Sequence, residues 1–150
     1  MPELPEVETT KNAILPFKGK TLQRVIVNNP SLRWPVDEKA INKIKEVKIL
    51  SISRRAKYIF LHLDEMTIII HLGMTGTFRI QKLGSNETRK HDHVIFEFSK
   101  EILIFNDPRR FGSLHVSKDP QDHFLIKHLG PEPLEDCLLY TSPSPRDSSK

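Results

Sequence analysis

The sequence predicts a mainly β fold, a β-sandwich of short strands with a few flanking helices. Beyond residue 47 the apolar residues gather in short runs rich in Ile, Val, Phe and Leu, broken by glycines or polar turns. Helical spacing is confined to a few short windows, and no internal repeat is evident. The chain has 150 residues, enough for one domain with a proper core. Many strands with few helices is the pattern of a sandwich or barrel.

Residues 5–15 read as a helix. Pro5 suits the first helical position, Glu6 and Glu8 complement the positive end of the helix dipole, and Val7 and Ile14 share a face. Pro16 and Gly19 stop it. A strand is expected over 22–27, and a second short helix over 38–46 carrying Ile41 and Ile44. The run 47–63, with Val47, Ile49, Tyr58, Ile59, Phe60, Leu61 and Leu63, reads as β. Strands over 67–72 and 77–80 follow, broken at Gly73 and Gly76. Residues 93–98 and 102–106 read as a hairpin joined by Ser99-Lys100-Glu101, and 112–116 as one more strand. Asp119-Pro120 looks like the cap and first position of a helix that stops at Gly130-Pro131.

Lys and Arg number 23 against 19 Asp and Glu, a net charge of +4, and the pI is about 9.2. That balance permits a polyanionic partner without requiring one. The single cysteine, Cys137, excludes an internal disulfide framework and a cysteine-based zinc site within the chain. No apolar run approaches the roughly 18 residues that span a bilayer. No basic segment followed by an apolar stretch opens the chain, so a soluble intracellular protein is expected. Residues 1–136 read as one domain. Residues 137–150 combine Ser and Pro without apolar periodicity and read as a disordered or non-native tail. Within it, Cys137 to Asp147 resembles a translated transposase adapter from sequencing-library preparation.

The chemistry-bearing candidates begin at the first residues. A small second residue lets Met1 be removed, which leaves Pro2 with a free secondary amine. An α-amino group titrates at about 7.7–8.0, so much of it is neutral at physiological pH. A neutral amine can attack an aldehyde-level carbon such as C1′ of a deoxyribose, giving an iminium that acts as an electron sink. Glu3 beside it can shuttle protons for sugar ring opening. The bland alternative is a common Met-Pro start with acids that serve only the helix dipole. Lys57 stands where a basic cluster meets a strand, able to meet a phosphate or reach a cavity, or simply to be an exposed strand lysine. His91 and His93 can be read as half a metal site, but no third ligand is apparent nearby.

Six blocks together resemble the formamidopyrimidine-DNA glycosylase family. They are Pro2-Glu3-Leu4-Pro5-Glu6-Val7-Glu8; Arg54-Arg55-Ala56-Lys57-Tyr58; His71-Leu72-Gly73-Met74-Thr75-Gly76; Lys90-His91-Asp92-His93; Asp107-Pro108-Arg109-Arg110-Phe111-Gly112; and His128-Leu129-Gly130-Pro131-Glu132-Pro133-Leu134. They stand in the family's order at close to its spacing and cover residues 1–136. The resemblance implies a bifunctional glycosylase and AP lyase of base-excision repair, removing oxidised purines such as 8-oxoguanine and formamidopyrimidines. Mature Pro2 would attack C1′, Glu3 would serve as general acid/base, Glu6 would support the N-terminal turn, and Lys57 would transfer protons in the β-elimination after base loss.

The implied partner is damaged double-stranded DNA, with the protein a bacterial cytoplasmic monomer. A glycosylase must extrude the damaged nucleotide, and side chains plug the hole it leaves. The resemblance assigns Met74, Arg109 and Phe111 to that wedge, Arg109 hydrogen-bonding the orphaned base and Phe111 stacking beside it. Strand-like alternation would point Arg109 and Phe111 the same way. Ordinary core packing is the competing reading for Met74 and Phe111. The resemblance supports His91 and Arg109 most directly as DNA-binding positions, and Arg54, Arg55, His71 and Arg110, with His91, are expected as phosphate contacts. Leu4 and Met74 favour the oxidised-purine branch over the oxidised-pyrimidine relatives of the endonuclease VIII type. The family adds a helix–two-turns–helix region and a four-cysteine zinc finger, neither present here, so no cofactor is expected in this chain. Weak DNA binding and little or no repair activity are expected of it alone. A non-catalytic DNA-binding module and an all-β domain unrelated to nucleic acid are the alternatives.

Overall fold

A computed structural model of the chain describes residues 4–85, 88–119, 123 and 126. Contacts divide the chain into two units, Met1–Pro120 and Gln121–Lys150, and the fold below is that of the first. The helix expected after Asp119, the block His128–Leu134 and the tail 137–150 lie outside the described residues.

Helix α1 spans Leu4–Ile14 and passes into a single 3-10 turn, Leu15–Phe17, with Pro16 inside it. Val7 and Ile14 are buried as the spacing predicts, with Phe17 beside them in the core. Strand β1 (Thr21–Val27) leads to α2 (Glu38–Asn42), capped by Asp37, whose Oδ1 accepts from the Ala40 N–H at 3.2 Å. The second helix is shorter than the sequence predicts. From Lys45 the chain pairs with β1 as β2 (Lys45–Lys48), placing Val47 opposite Leu22, so sheet pairing overrides a weak helical preference. Ile41 and Ile44 are buried as expected.

The run 47–63 is not one strand. It divides into the end of β2, then β3 (Ser51–Arg55) and β4 (Tyr58–His62), and β5 (Thr67–His71) follows. Strands β6 (Thr77–Lys82), β7 (Asp92–Glu97), β8 (Glu101–Asn106) and β9 (Ser113–Ser117) complete the unit. Every pairing among these strands is antiparallel, in a five-stranded sheet ordered β2-β1-β7-β8-β6 and a four-stranded sheet ordered β3-β4-β5-β9.

Cross-strand rows build the core between the sheets. One sheet contributes Ile52, Leu61 and Ile68 in one row and Ile59, Ile70 and Leu114 in the next. The other contributes Phe96 opposite Leu103 and Val94 opposite Phe105. Burying each such side chain contributes about 1.5–3 kcal/mol. The expected sandwich with flanking helices is therefore the observed fold.

Candidate functional site

Antiparallel pairing collects the chemistry-bearing loops at one end of the sandwich. Val27, Asp92, Asn106 and Thr77 close that end of one sheet, and Arg55, Tyr58, His71 and Ser113 close the other. The loops 28–36, 56–57, 72–76, 88–91 and 107–112 therefore emerge together. Positive φ concentrates here too. Of the four described non-glycine residues with positive φ, Ala56 (52°), His91 (73°) and Arg110 (56°) belong to these loops, and only Glu46 lies elsewhere. Such backbone persists only where its surroundings impose it.

Lys57 is half-buried in the tight turn between β3 and β4, not on a strand. Arg54 braces that turn. Its side chain is 14% exposed, with Nε donating to Glu8 Oε1 at 2.8 Å and Nη1 donating to the Ala56 carbonyl at 2.7 Å. Glu8 also pairs with Lys11 at 2.9 Å. Burial alone would raise the Glu8 pKa, but Lys11 and Arg54 outweigh it and hold the carboxyl below its ordinary value. Arg54 thus ties α1 to the Lys57 turn, a structural duty beside the phosphate contact expected of it. Arg55 is half-buried in the row opposite Tyr58, and Glu6 is exposed in the first turn of α1. Pro2 and Glu3 lie outside the described residues.

His71 ends β5 with its ring 5.0 Å from that of Tyr58. Burial lowers its pKa, and the positive charges of Lys57 and Arg33 lower it further, against a smaller raising effect from Asp107. Both effects favour the neutral ring. Its Nδ1 accepts the Gly73 N–H at 3.0 Å, which leaves the proton on Nε2. His71 can meet a phosphate oxygen as a neutral donor instead of as a cation.

The loops carrying Met74 and Arg109–Phe111 press backbone to backbone. A Cβ on Gly73 (φ 67°) would lie 2.5 Å from the Gly112 nitrogen, and one on Gly112 would lie 2.6 Å from the His71 carbonyl oxygen. Met74 is 44% exposed and Phe111 45%, so neither packs in the core. The Arg109 guanidinium reaches the Met74 sulfur at 3.8 Å. Residues 107–112 form a turn, not a strand, so alternation is not what brings Arg109 and Phe111 together. The turn at Pro108-Arg109 and the positive φ of Arg110 do so, and Arg110 is exposed beside them.

His91 and His93 serve separate ends. His93 is buried, and its Nε2 donates to the Asp107 carbonyl at 2.7 Å, while His91 tops the loop before β7. Among the described residues no group of three His, Cys, Asp or Glu is placed to hold a metal. Asp92, between them, anchors the His91 loop by accepting the Arg89 N–H at 2.8 Å.

Sequence reasoning passed over several residues that build this end: Asp107, Thr75, Asp92, Glu8 and Arg33. The first four lie inside the quoted blocks, where Asp107, a lone acid opening a Pro turn, signals a local cap. Arg33 stands in no quoted block. Its N–H donates to the Gly112 carbonyl at 3.1 Å, its guanidinium lies 5.9 Å from the Trp34 ring centroid, and it is exposed.

The family model for the formamidopyrimidine-DNA glycosylase N-terminal domain matches residues 1–114. Among curated proteins, the formamidopyrimidine-DNA glycosylase of Hydrogenovibrio crunogenus is 48% identical over 142 residues, 92% of this chain. That of Alcanivorax borkumensis is 48% identical over 140 residues. Among solved structures, the Lactococcus lactis formamidopyrimidine-DNA glycosylase bound non-covalently to DNA containing an AP site superimposes with a TM-score of 0.78 at 32% identity. The match covers 89% of this chain and 52% of that one. The same enzyme in complex with Fapy-dG-containing DNA gives a TM-score of 0.77. The chain spans about half the length of the curated relatives it matches, 50% and 51% of these two.

Proposed function

Because this chain belongs to the formamidopyrimidine-DNA glycosylase family, we propose that it is the N-terminal domain of a base-excision repair enzyme. That enzyme removes oxidised purines from double-stranded DNA and then cleaves the abasic strand. One observation carries the reading: the half-buried Lys57 turn, the His71 ring held by the Gly73 N–H, and exposed Met74, Arg109 and Phe111 share one end of the sandwich. A domain that merely coated DNA would need cationic surface there, with no use for exposed apolar side chains.

In this reading Met74 and Phe111 enter the stack as the lesion leaves it, and Arg109 hydrogen-bonds the orphaned base. His71, His91 and Arg110 hold the backbone phosphates of the kinked duplex. The Pro2 nitrogen attacks C1′ and its pair forms the new C–N bond as the glycosidic bond breaks to the base. Glu3 takes the proton that the bonded nitrogen then gives up and passes it to the sugar ring oxygen, and the ring opens to an iminium. Loss of a proton from C2′, with Lys57 assisting the transfer, then expels the 3′ phosphate by β-elimination. Further δ-elimination belongs to the full-length protein, as does the structural zinc of the family's C-terminal finger. We place the enzyme in the bacterial cytoplasm, on chromosomal DNA.

Borohydride trapping tests the proposal in the full-length protein. A covalent adduct with an abasic-site duplex is expected, and it should vanish in Pro2→Gly carrying an added N-terminal block. Tight binding without any trapped adduct would replace the enzyme with a non-catalytic DNA-binding module.

A further inference from the structure

The two loops that carry Met74 and Arg109–Phe111 are joined by a polar chain of defined direction, buried at its Asp107 end. Asp107 is fully buried. Its Oδ1 accepts the Thr75 hydroxyl at 2.6 Å, and its Oδ2 accepts the Gly112 N–H at 2.8 Å. The Thr75 oxygen in turn accepts the Arg109 N–H at 3.3 Å. A hydroxyl has one proton to give, and here it goes to the carboxylate, so the oxygen's lone pairs are left for Arg109. The backbone of Asp107 extends the same junction: its N–H donates to the His91 carbonyl at 3.1 Å and its carbonyl accepts from Arg110 at 3.2 Å. Asp107 itself is too deep to touch DNA. Its effect must pass through the loops it joins.

We propose that Thr75 and Asp107 form a latch that fixes the register of the Met74 loop against the Arg109–Phe111 loop. The latch thereby sets how fast and how fully the three side chains enter the duplex. The inference rests on the reading of those side chains as the wedge. Thr75 and Asp107 are positioning residues within it. A carboxylate suits the post because both of its oxygens face donors from opposite flanks. An amide would turn its NH2 towards one of them, and a side chain without a hydroxyl at 75 would cut both the Asp107 and the Arg109 bonds.

The test uses the full-length protein with Thr75→Val, Thr75→Ser and Met74→Ala. Wedge entry is followed by stopped-flow fluorescence of 2-aminopurine beside an 8-oxoguanine:cytosine pair. Affinity for undamaged duplex and the urea midpoint are measured alongside, with Thr75→Ala replacing Thr75→Val should the latter fail to fold. Thr75→Val should slow wedge entry and single-turnover excision by about tenfold, the factor expected from losing a hydrogen bond to a charged group. Affinity for undamaged duplex should stay within about twofold, since the phosphate contacts are untouched. Thr75→Ser, which keeps the hydroxyl, should restore both rates. Slow entry in Met74→Ala with normal entry in Thr75→Val overturns the latch alone. Normal entry in both variants overturns the wedge assignment and the latch with it. An equal loss of affinity for undamaged duplex and of excision in Thr75→Val also overturns the latch, because a general disturbance of the fold would do the same.

Discussion

Replacing Asp92 by Asn probes the polar anchor beneath the His91 loop. The Asp92 side chain is 5% exposed and that of its partner Arg79 is 17% exposed. Four donors converge on the carboxylate. Arg79 Nη1 and Asn106 Nδ2 approach Oδ1, each at 2.8 Å. Arg79 Nη2 and the Arg89 N–H approach Oδ2, at 2.6 Å and 2.8 Å. Whichever way the substituted amide turned, its NH2 would confront two donors, and the guanidinium would lose its counter-charge. Breaking a buried pair by removing one partner costs about 3–5 kcal/mol, and the partial exposure of Arg79 argues for the lower end, about 3 kcal/mol. That is a large share of the ~5–15 kcal/mol that holds an ordinary domain together.

Urea unfolding followed through the fluorescence of Trp34, the single tryptophan, measures the loss. The gap between Asp92→Asn and the unaltered protein should also depend on pH. Burial alone would raise the Asp92 pKa, but the hydrogen bonds from Arg79, Asn106 and Arg89 outweigh it and hold the carboxyl well below the usual carboxylate range. A depressed carboxyl stabilises the fold above its unfolded value of about 3.9 and loses that contribution as pH falls through the folded value. The gap should be full at neutral pH and narrow in strong acid. A loss under about 1 kcal/mol at pH 7, or a gap indifferent to pH, would refute this reasoning.

Three further outcomes follow from the same geometry. Arg33→Ala should weaken duplex binding and reduce the slope of log K against log salt by about 1; it should also move the His71 pKa up towards its ordinary value, read by NMR titration. Gly73→Ala, which puts a Cβ against the Gly112 backbone at φ 67°, should cost more than about 1 kcal/mol in urea unfolding, and an unchanged midpoint would contradict the loop contact. Burial lowers the pKa of His71 and of His62, so both favour the neutral ring when folded; their stabilisation is full above about pH 6.5 and is lost as pH falls through the lowered values, and a urea midpoint that rises from pH 7 to pH 5 would contradict that sign.

The sheets were legible because their signal is local. Ile59, Leu61, Ile68 and Ile70 alternate or run together, and such runs bury against a second sheet with little else to decide. The boundaries were less so. Lys45–Lys48 carries no strong strand preference and becomes β2 only because β1 offers an edge, a tertiary effect invisible in a window of residues. The candidate catalytic and wedge residues were legible through the resemblance, since Lys57, Met74 and Phe111 individually look ordinary. What joins them was not. Glu8 meets Arg54 across 46 positions and Thr75 meets Asp107 across 32, and no periodicity reports bonds of that reach. Arg33 was missed for the same reason, being brought to the site by one backbone hydrogen bond to Gly112.

The central claim is that the nitrogen of mature Pro2 is the atom that bonds to deoxyribose. Proteolysis and tandem mass spectrometry of the borohydride-trapped adduct locate that bond directly. The sugar remnant is expected on the peptide that begins at Pro2, attached through its ring nitrogen. A remnant on Lys57 or another lysine, or an N-terminal peptide recovered unmodified with Met1 still in place, would contradict it.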